Sequence, residues 1–318
     1  MAARRPSRTQ RTLTRIGVAG LLAAMVAVSC AAQPSKGDSG FSGTRALADV
    51  RKLVAIGPRV AGTPGADKAR DYITAQLKAA GLAVQQQAFD ASTPRGSVHM
   101  INLLAVIPGI PPPEAPSQVP VQRIIVAGHY DTKLFKEFTF VGANDGGSSA
   151  ALLIELARAL KPRTLPMDVE LLFLDGEEAV GEWQGSDHTY GSRYYVQAAK
   201  KAGGLKTIGA LVLVDMIGDK DLRIMKEANS TPWLTESVWG AASRLGRREF
   251  VGETTTIEDD HLEFLEEGVP AVDIIDLDYP AWHRADDTLD KLSAASLQSV
   301  GDVVVAALGD IAARGRKR

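Results

Sequence analysis

The apolar positions of this chain change period along its length. TRALADVRKLVAIG and GADKARDYITAQLKAAG carry apolar residues at helical spacing, and the second ends at Gly81 as a helix cap would. LAVQQQAF and VHMINLLAVIPG read as strands with a hairpin-like connection. The Pro-rich stretch PGIPPPEAPSQVP reads as a loop, because strand character resumes at once in VQRIIVAG. RIIVAG, VELLFL and ALVLV are continuous apolar runs, the signature of strands buried on both faces. Between and after them GGSSAALLIELARALK, RYYVQAAKKAGG, TPWLTESVWGAASRLG and LSAASLQSVGDVVVAALGDIAAR read as helices, the third opened by Pro232, and VPAVDII as a short strand. Strands alternating with helices predict an α/β fold with both sheet faces covered, and the opening hairpin predicts a mixed, mostly parallel sheet.

The N-terminus follows another logic. Arg4, Arg5, Arg8, Arg11 and Arg15 precede the apolar run IGVAGLLAAMVAV, and Ser29 and Cys30 follow it. A basic segment, a short apolar segment and a small-residue zone form a signal peptide, and the run is too short for a membrane span of about 20 residues. Cys30 is the single cysteine, so no intrachain disulfide is possible. AVSC resembles a bacterial lipobox, with Ala27 in place of the usual Leu. The expectation is a signal over residues 1–30 ending at a lipidated Cys30, a flexible small-residue tether over 31–44, and one catalytic domain over 45–313. That predicts an extracytoplasmic protein of the bacterial cell envelope, held to the membrane by a lipid anchor. A secretory signal with a chance cysteine is the blander alternative. The net charge of −2 over 318 residues offers no footprint for nucleic acid.

The chemistry sits where buried runs end. His129 and Asp131 stand in GHYDTK, Asp145 in VGANDGG, and Glu177 and Glu178 follow LLFLDG. Asp215 ends ALVLVD, Asp259 and Asp260 precede HLEFLEEG, and His283 follows Trp282. Polar residues at the ends of buried strands mark the active-site edge of an open α/β sheet, and His, Asp and Glu together form a zinc ligand set. H-x-D puts His129 and Asp131 on one side, where Asp131 can accept the second N–H of the imidazole. Asp145 reads as a ligand or a helix cap. The adjacent acids Glu177 and Glu178 point different ways in a turn, so one can hold a metal while the other moves protons; two solvated turn acids are the alternative. At least one of Asp259 and Asp260 reads as a helix cap. His261 reads as structural or as a support behind the ligands, and His99 and His188 carry no clear signal.

The ordered set H-x-D, D, E-E, D, H resembles the zinc aminopeptidase superfamily, whose fold is a three-layer α/β/α sandwich. HYDTK with Phe135, FVGAND, FLDGEEA with Trp183, DDHLEFLEEGVP and the Trp282–His283 pair are more specifically similar to the glutaminyl-peptide cyclotransferases (glutaminyl cyclases), over about residues 45–310. The resemblance implies one zinc held by Asp145, Glu178 and His283, and Glu177 as proton shuttle. It also implies Asp215 and Asp259 as a hydrogen-bonded acid pair, and Trp183 and Trp282 as pocket walls. The implied reaction converts an N-terminal glutamine of a peptide or protein to pyroglutamate with release of ammonia. His129 and Asp215 complete a second metal set, so a di-zinc aminopeptidase is the alternative, and an inactive peptide-binding lipoprotein the third reading. Asp273 departs from the animal members, where a His is expected, and this implies a different outer pocket.

Overall fold

Arg123–His129, Asp168–Leu174 and Ile208–Asp215 form the strands β3, β4 and β5, and almost every residue in them is buried. In this computed structural model the described residues are 39–110, 122–160 and 165–315. The expected signal peptide, Cys30 and most of the expected tether lie outside them. The tether ends earlier than expected. Phe41 is buried, Ser39 hydrogen-bonds Asp302, and the Ser42 side chain caps helix α1 (Gly43–Ile56), so residues 39–44 belong to the folded unit.

The remaining elements are α2 (Pro64–Ala79), β1 (Gln85–Thr93), β2 (Gly96–Ile107), α3 (Gly147–Leu160), α4 (Tyr190–Lys201), β6 (Ile224–Glu227), α5 (Pro232–Leu245), β7 (Phe250–Thr255), α6 (His261–Glu266), β8 (Ala271–Ile275) and α7 (Ala294–Gly315). The main sheet runs β1-β2-β4-β3-β5-β8. β1, β2 and β4 pair antiparallel in succession, while β4, β3, β5 and β8 run parallel, so the sheet is mixed and mostly parallel as expected. Alternate side chains serve the two faces. Val126, Leu171, Val212 and Val272 join the core formed with α1, α3, α5 and α7, and Ile125, Leu172, Leu211 and Ala271 pack on α4 and α6. This is the three-layer sandwich. Helix α7 is apolar and long enough to span a membrane by composition, but 67% of that window is buried inside the fold, as in a core helix.

The small parallel pair β6 and β7 was not expected from the sequence. The four parallel strands all end at the same edge of the sheet. β3 has β4 on one side and β5 on the other, so the chain's direction of progression reverses beside it, the place where open α/β sheets form a crevice. His129 is the last residue of β3, and Asp215 the last of β5.

Candidate metal centre

Beyond β4 the chain turns through Gly176 (φ 69°) into Glu177 and Glu178. The turn is fixed by Asp131, whose two carboxylate oxygens accept from Glu177 N (3.2 Å) and Glu178 N (3.4 Å). The same carboxylate faces His129 as the H-x-D spacing implies, with Oδ1 3.5 Å from Nδ1 of the imidazole. Asp131 thus aims the two acids as well as standing beside the imidazole. Glu177 and Glu178 are both buried, which excludes a pair of solvated turn acids.

Asp145, Glu178 and His283 converge, with ligand-capable atoms within 4.8 Å of one another. His283 Nε2 lies 3.2 Å from Glu178 Oε1 and 3.4 Å from Asp145 Oδ2. Asp145 Oδ2 and Glu178 Oε2 are buried and accept no hydrogen bond. Buried carboxylate oxygens without donors call for a cation. Two carboxylates and an imidazole form a donor set suited to a metal with one position left open, so the residues fit. His129, Asp145 and Asp215 form a second convergent group that shares Asp145. There His129 Nε2 stands 3.2 Å from both Asp145 Oδ1 and Asp215 Oδ1.

The electrostatics follow from packing many acids together. Burial raises the Glu177 carboxyl well above the ordinary carboxylate range; the neighbouring His129 opposes this, and the charges of Glu178, Asp259 and Asp260 add to it. Burial lowers His129, but the carboxylates of Glu177 and Asp215 more than reverse this and hold the ring well above its usual value. His283 is likewise raised, as Glu178 and Asp145 outweigh its burial. Backbone strain gathers here too. The three non-glycine residues with positive φ among the described residues are Thr189, Met216 and His283, and all three flank the centre.

A cavity of about 440 Å³ opens over the centre, lined by Trp183 and Trp282 together with Lys133, Glu182, Ile257 and Glu258. Trp183 Nε1 donates to Glu258 (3.2 Å), and its indole stacks on His188 at 4.2 Å. His188, without a signal in the sequence, therefore backs the cavity wall. Lys133 was also not singled out. Its backbone N donates to Glu178 Oε1 (3.2 Å) and its ammonium lies 3.6 Å from Glu178 Oε2. The ring of His283 packs edge-on against Phe135 and Phe140.

Two expectations change. Neither Asp259 nor Asp260 caps α6 through its side chain; both are buried, Asp259 Oδ1 accepting from Asp260 N and Asp260 Oδ1 from Ser192 Oγ. Asp215 and Asp259 are electrostatic neighbours, the charge of Asp215 adding to the burial that pushes Asp259 up to about 7. Asp273 is not in the outer pocket. It is fully buried on β8 behind the cavity, neither carboxylate oxygen has a partner, and His261 Nδ1 lies 3.8 Å away. His261 is structural as expected, buried against Glu227 at 3.1 Å.

Burial, with Asp259, Asp215, Glu227 and Asp260 nearby, raises Asp273 well above its ordinary value. The folded state thus favours its protonated form. The cost begins as pH rises past the unfolded value of about 3.9 and grows until the folded value is passed. Asp273→Asn is therefore expected to stabilise the protein by about 1–3 kcal/mol at pH 8 and by nearly nothing at pH 4. Urea midpoints at the two pH values check this, and an equal gain at both would show that charge is not the cause.

Residues 105–308 match Peptidase family M28. The chain is 30% identical over 293 residues to the glutaminyl-peptide cyclotransferase-like protein of Bos taurus, covering 82% of this chain and 73% of that one. The crystal structure of an Acidobacteriales bacterium glutaminyl cyclase is 39% identical and superposes with a TM-score of 0.80, over 86% of this chain and 96% of that one. The chain belongs to the glutaminyl-peptide cyclotransferases of family M28. Another glutaminyl cyclase, from Bacteroides thetaiotaomicron, was solved bound to N-acetylhistamine; it is 26% identical, with a TM-score of 0.74 over 85% of this chain and 98% of that one. As in the sequence reading, this cyclotransferase carries its acids and imidazoles at one edge of a three-layer sandwich.

Proposed function

We propose that this enzyme converts N-terminal glutamine to pyroglutamate and uses one zinc ion held by Asp145, Glu178 and His283. The observation that carries the reading is the placement of Glu177, a buried acid lining the same cavity as that triad and as Trp183 and Trp282. Zinc at the triad would polarise the γ-carbonyl of the glutamine side chain. The two tryptophans line that cavity and would hold the substrate in a reactive orientation. The Glu177 carboxylate takes a proton from the α-amine. The amine nitrogen bonds to the side-chain carbonyl carbon (Cδ), the bond from that carbon to the amide nitrogen breaks, and Glu177 returns the proton to the departing ammonia. Its burial suits a group that must both accept and release a proton, and the charge of a cation at the triad would offset the rise in its pKa.

The test is incubation of the zinc-loaded enzyme with a Gln-Ala peptide and mass analysis of the products. Loss of one ammonia with the peptide bond intact is expected. Free glutamine would establish aminopeptidase hydrolysis instead. The second convergent group, His129, Asp145 and Asp215, is the observation that favours that alternative, and it would then be expected to bring two zinc ions per chain.

We further propose, on the sequence AVSC and the basic and apolar segments before it, that Cys30 is lipidated and tethers the domain outside the cytoplasm. Cys30→Ser is expected to move the protein from the membrane pellet to the soluble fraction. A variant that still pellets with membranes would rule out the anchor.

A further inference from the structure

Arg59 is 0% exposed, and its guanidinium reaches no carboxylate oxygen within hydrogen-bond distance. It bonds instead to backbone carbonyls. Nε donates to Tyr130 O (2.8 Å), Nη1 to Val141 O (2.6 Å), and Nη2 to Gly142 O (2.9 Å) and Asp145 O (3.4 Å). Asp287, also 0% exposed, addresses the same loop from its amide side. Its Oδ1 accepts from Asn144 N (2.9 Å) and its Oδ2 from Asp145 N (3.1 Å), while the Tyr279 hydroxyl donates to Oδ1 (2.7 Å). Asp145 is thus held at both ends of its own residue, the N–H by Asp287 and the C=O by Arg59. The loop is tight enough to need this. Gly142 has φ 50°, and a Cβ there would lie 2.4 Å from Asp145 O.

An ionised arginine in a fully buried site is costly unless its donors are used, and one planar fork can meet several carbonyls at once. A buried Arg and a buried Asp on opposite sides of one short loop satisfy the loop's backbone and partly offset each other's charge. We propose that Arg59 and Asp287 are positioning residues that hold the 141–145 loop in the shape that presents Asp145 to the metal, so that the site is formed before metal arrives. The inference rests on the reading of Asp145 as a ligand.

The test measures zinc affinity by competition with a chelating indicator, using metal-stripped full-length protein in detergent. Wild type, Asp145→Ala, Arg59→Lys and Asp287→Asn are compared. Lysine keeps the charge but cannot reach the separated carbonyls, and asparagine turns an N–H donor toward the Asp145 amide. Arg59→Lys and Asp287→Asn are each expected to weaken zinc binding by about 10- to 100-fold, the usual size for groups that orient ligands. The metal-free proteins should keep the wild-type circular dichroism, and excess zinc should restore kcat. Folded variants with wild-type zinc affinity would overturn the proposal. If Arg59→Lys does not fold, Asp287→Asn decides the matter together with hydrogen exchange in metal-free wild type. There the Asn144 and Asp145 amides should be protected, and exchange at the rate of an open loop would overturn the pre-formed site. Asp145→Ala binding zinc as wild type does would instead bring down the ligand assignment on which the inference rests.

Discussion

Glu177→Gln is expected to keep its zinc and lose kcat by about 10²- to 10⁴-fold, the range that a well-placed general acid–base group contributes. The substitution is nearly isosteric. Glu177 is held through its backbone, by Asp131 on its N–H and by Thr189 N on its carbonyl (2.8 Å), so the turn and its neighbour Glu178 should stay in place. What is lost is the ability to take a proton from the amine and return it to ammonia. A fall of that size corresponds to about 3–5 kcal/mol of transition-state stabilisation. KM should change little, because the tryptophan walls and the triad are untouched. Steady-state kinetics beside zinc analysis of the same preparation check this. Activity within tenfold of wild type would remove Glu177 from the reaction, and loss of zinc would make it part of the metal centre.

The sequence showed the parallel core because buried strands announce themselves as unbroken apolar runs. His129 and Asp215 were legible as the polar residues at which such runs stop. Glu177 and Glu178 were legible because two adjacent acids just after VELLFLDG have no packing reason to be there. Residues that act through the backbone left no such trace. Arg59 sits in the aperiodic stretch GPRVAG and binds carbonyls, which carry no side-chain signature. Asp287 looked like one acid among several in HRADDT. For Asp131 only one of its partners was legible, because H-x-D spacing predicts the side shared with His129 but not the Glu177 and Glu178 amides that the turn after β4 brings to it. Asp259 and Asp260 followed the statistics of helix starts, which a buried acid cluster overrides here. β6 and β7 were missed because RIMKE and FVGETT are short, charged and only half-buried, so their strand character depends on pairing with each other.

Removal of a triad member should give the complementary result. His283→Ala is expected to lose both zinc and turnover, with an affinity loss beyond the roughly 100-fold typical of groups that only orient ligands. The ring contributes the one nitrogen among the three, 3.4 Å from Asp145 Oδ2 and 3.2 Å from Glu178 Oε1, and without it two carboxylates are left to share the gap. Those carboxylates repel, so the metal-free variant has no reason to keep the site open in its binding shape. Thermal stability offers a readout independent of activity. A ligand that binds only the folded state, present at 100 times its dissociation constant, stabilises by about 2.7 kcal/mol. Wild type and Glu177→Gln should therefore both melt higher with zinc than with a chelator, while His283→Ala should show no shift at the same zinc concentration. Alanine keeps the positive φ of position 283 (55°) and loses the ring's contacts with Phe135 and Phe140, so the variant carries the backbone strain without the packing that holds it. A zinc-dependent shift in His283→Ala equal to that of wild type would move the metal to the other convergent group, at His129, Asp145 and Asp215, and with it the reaction that the cavity supports.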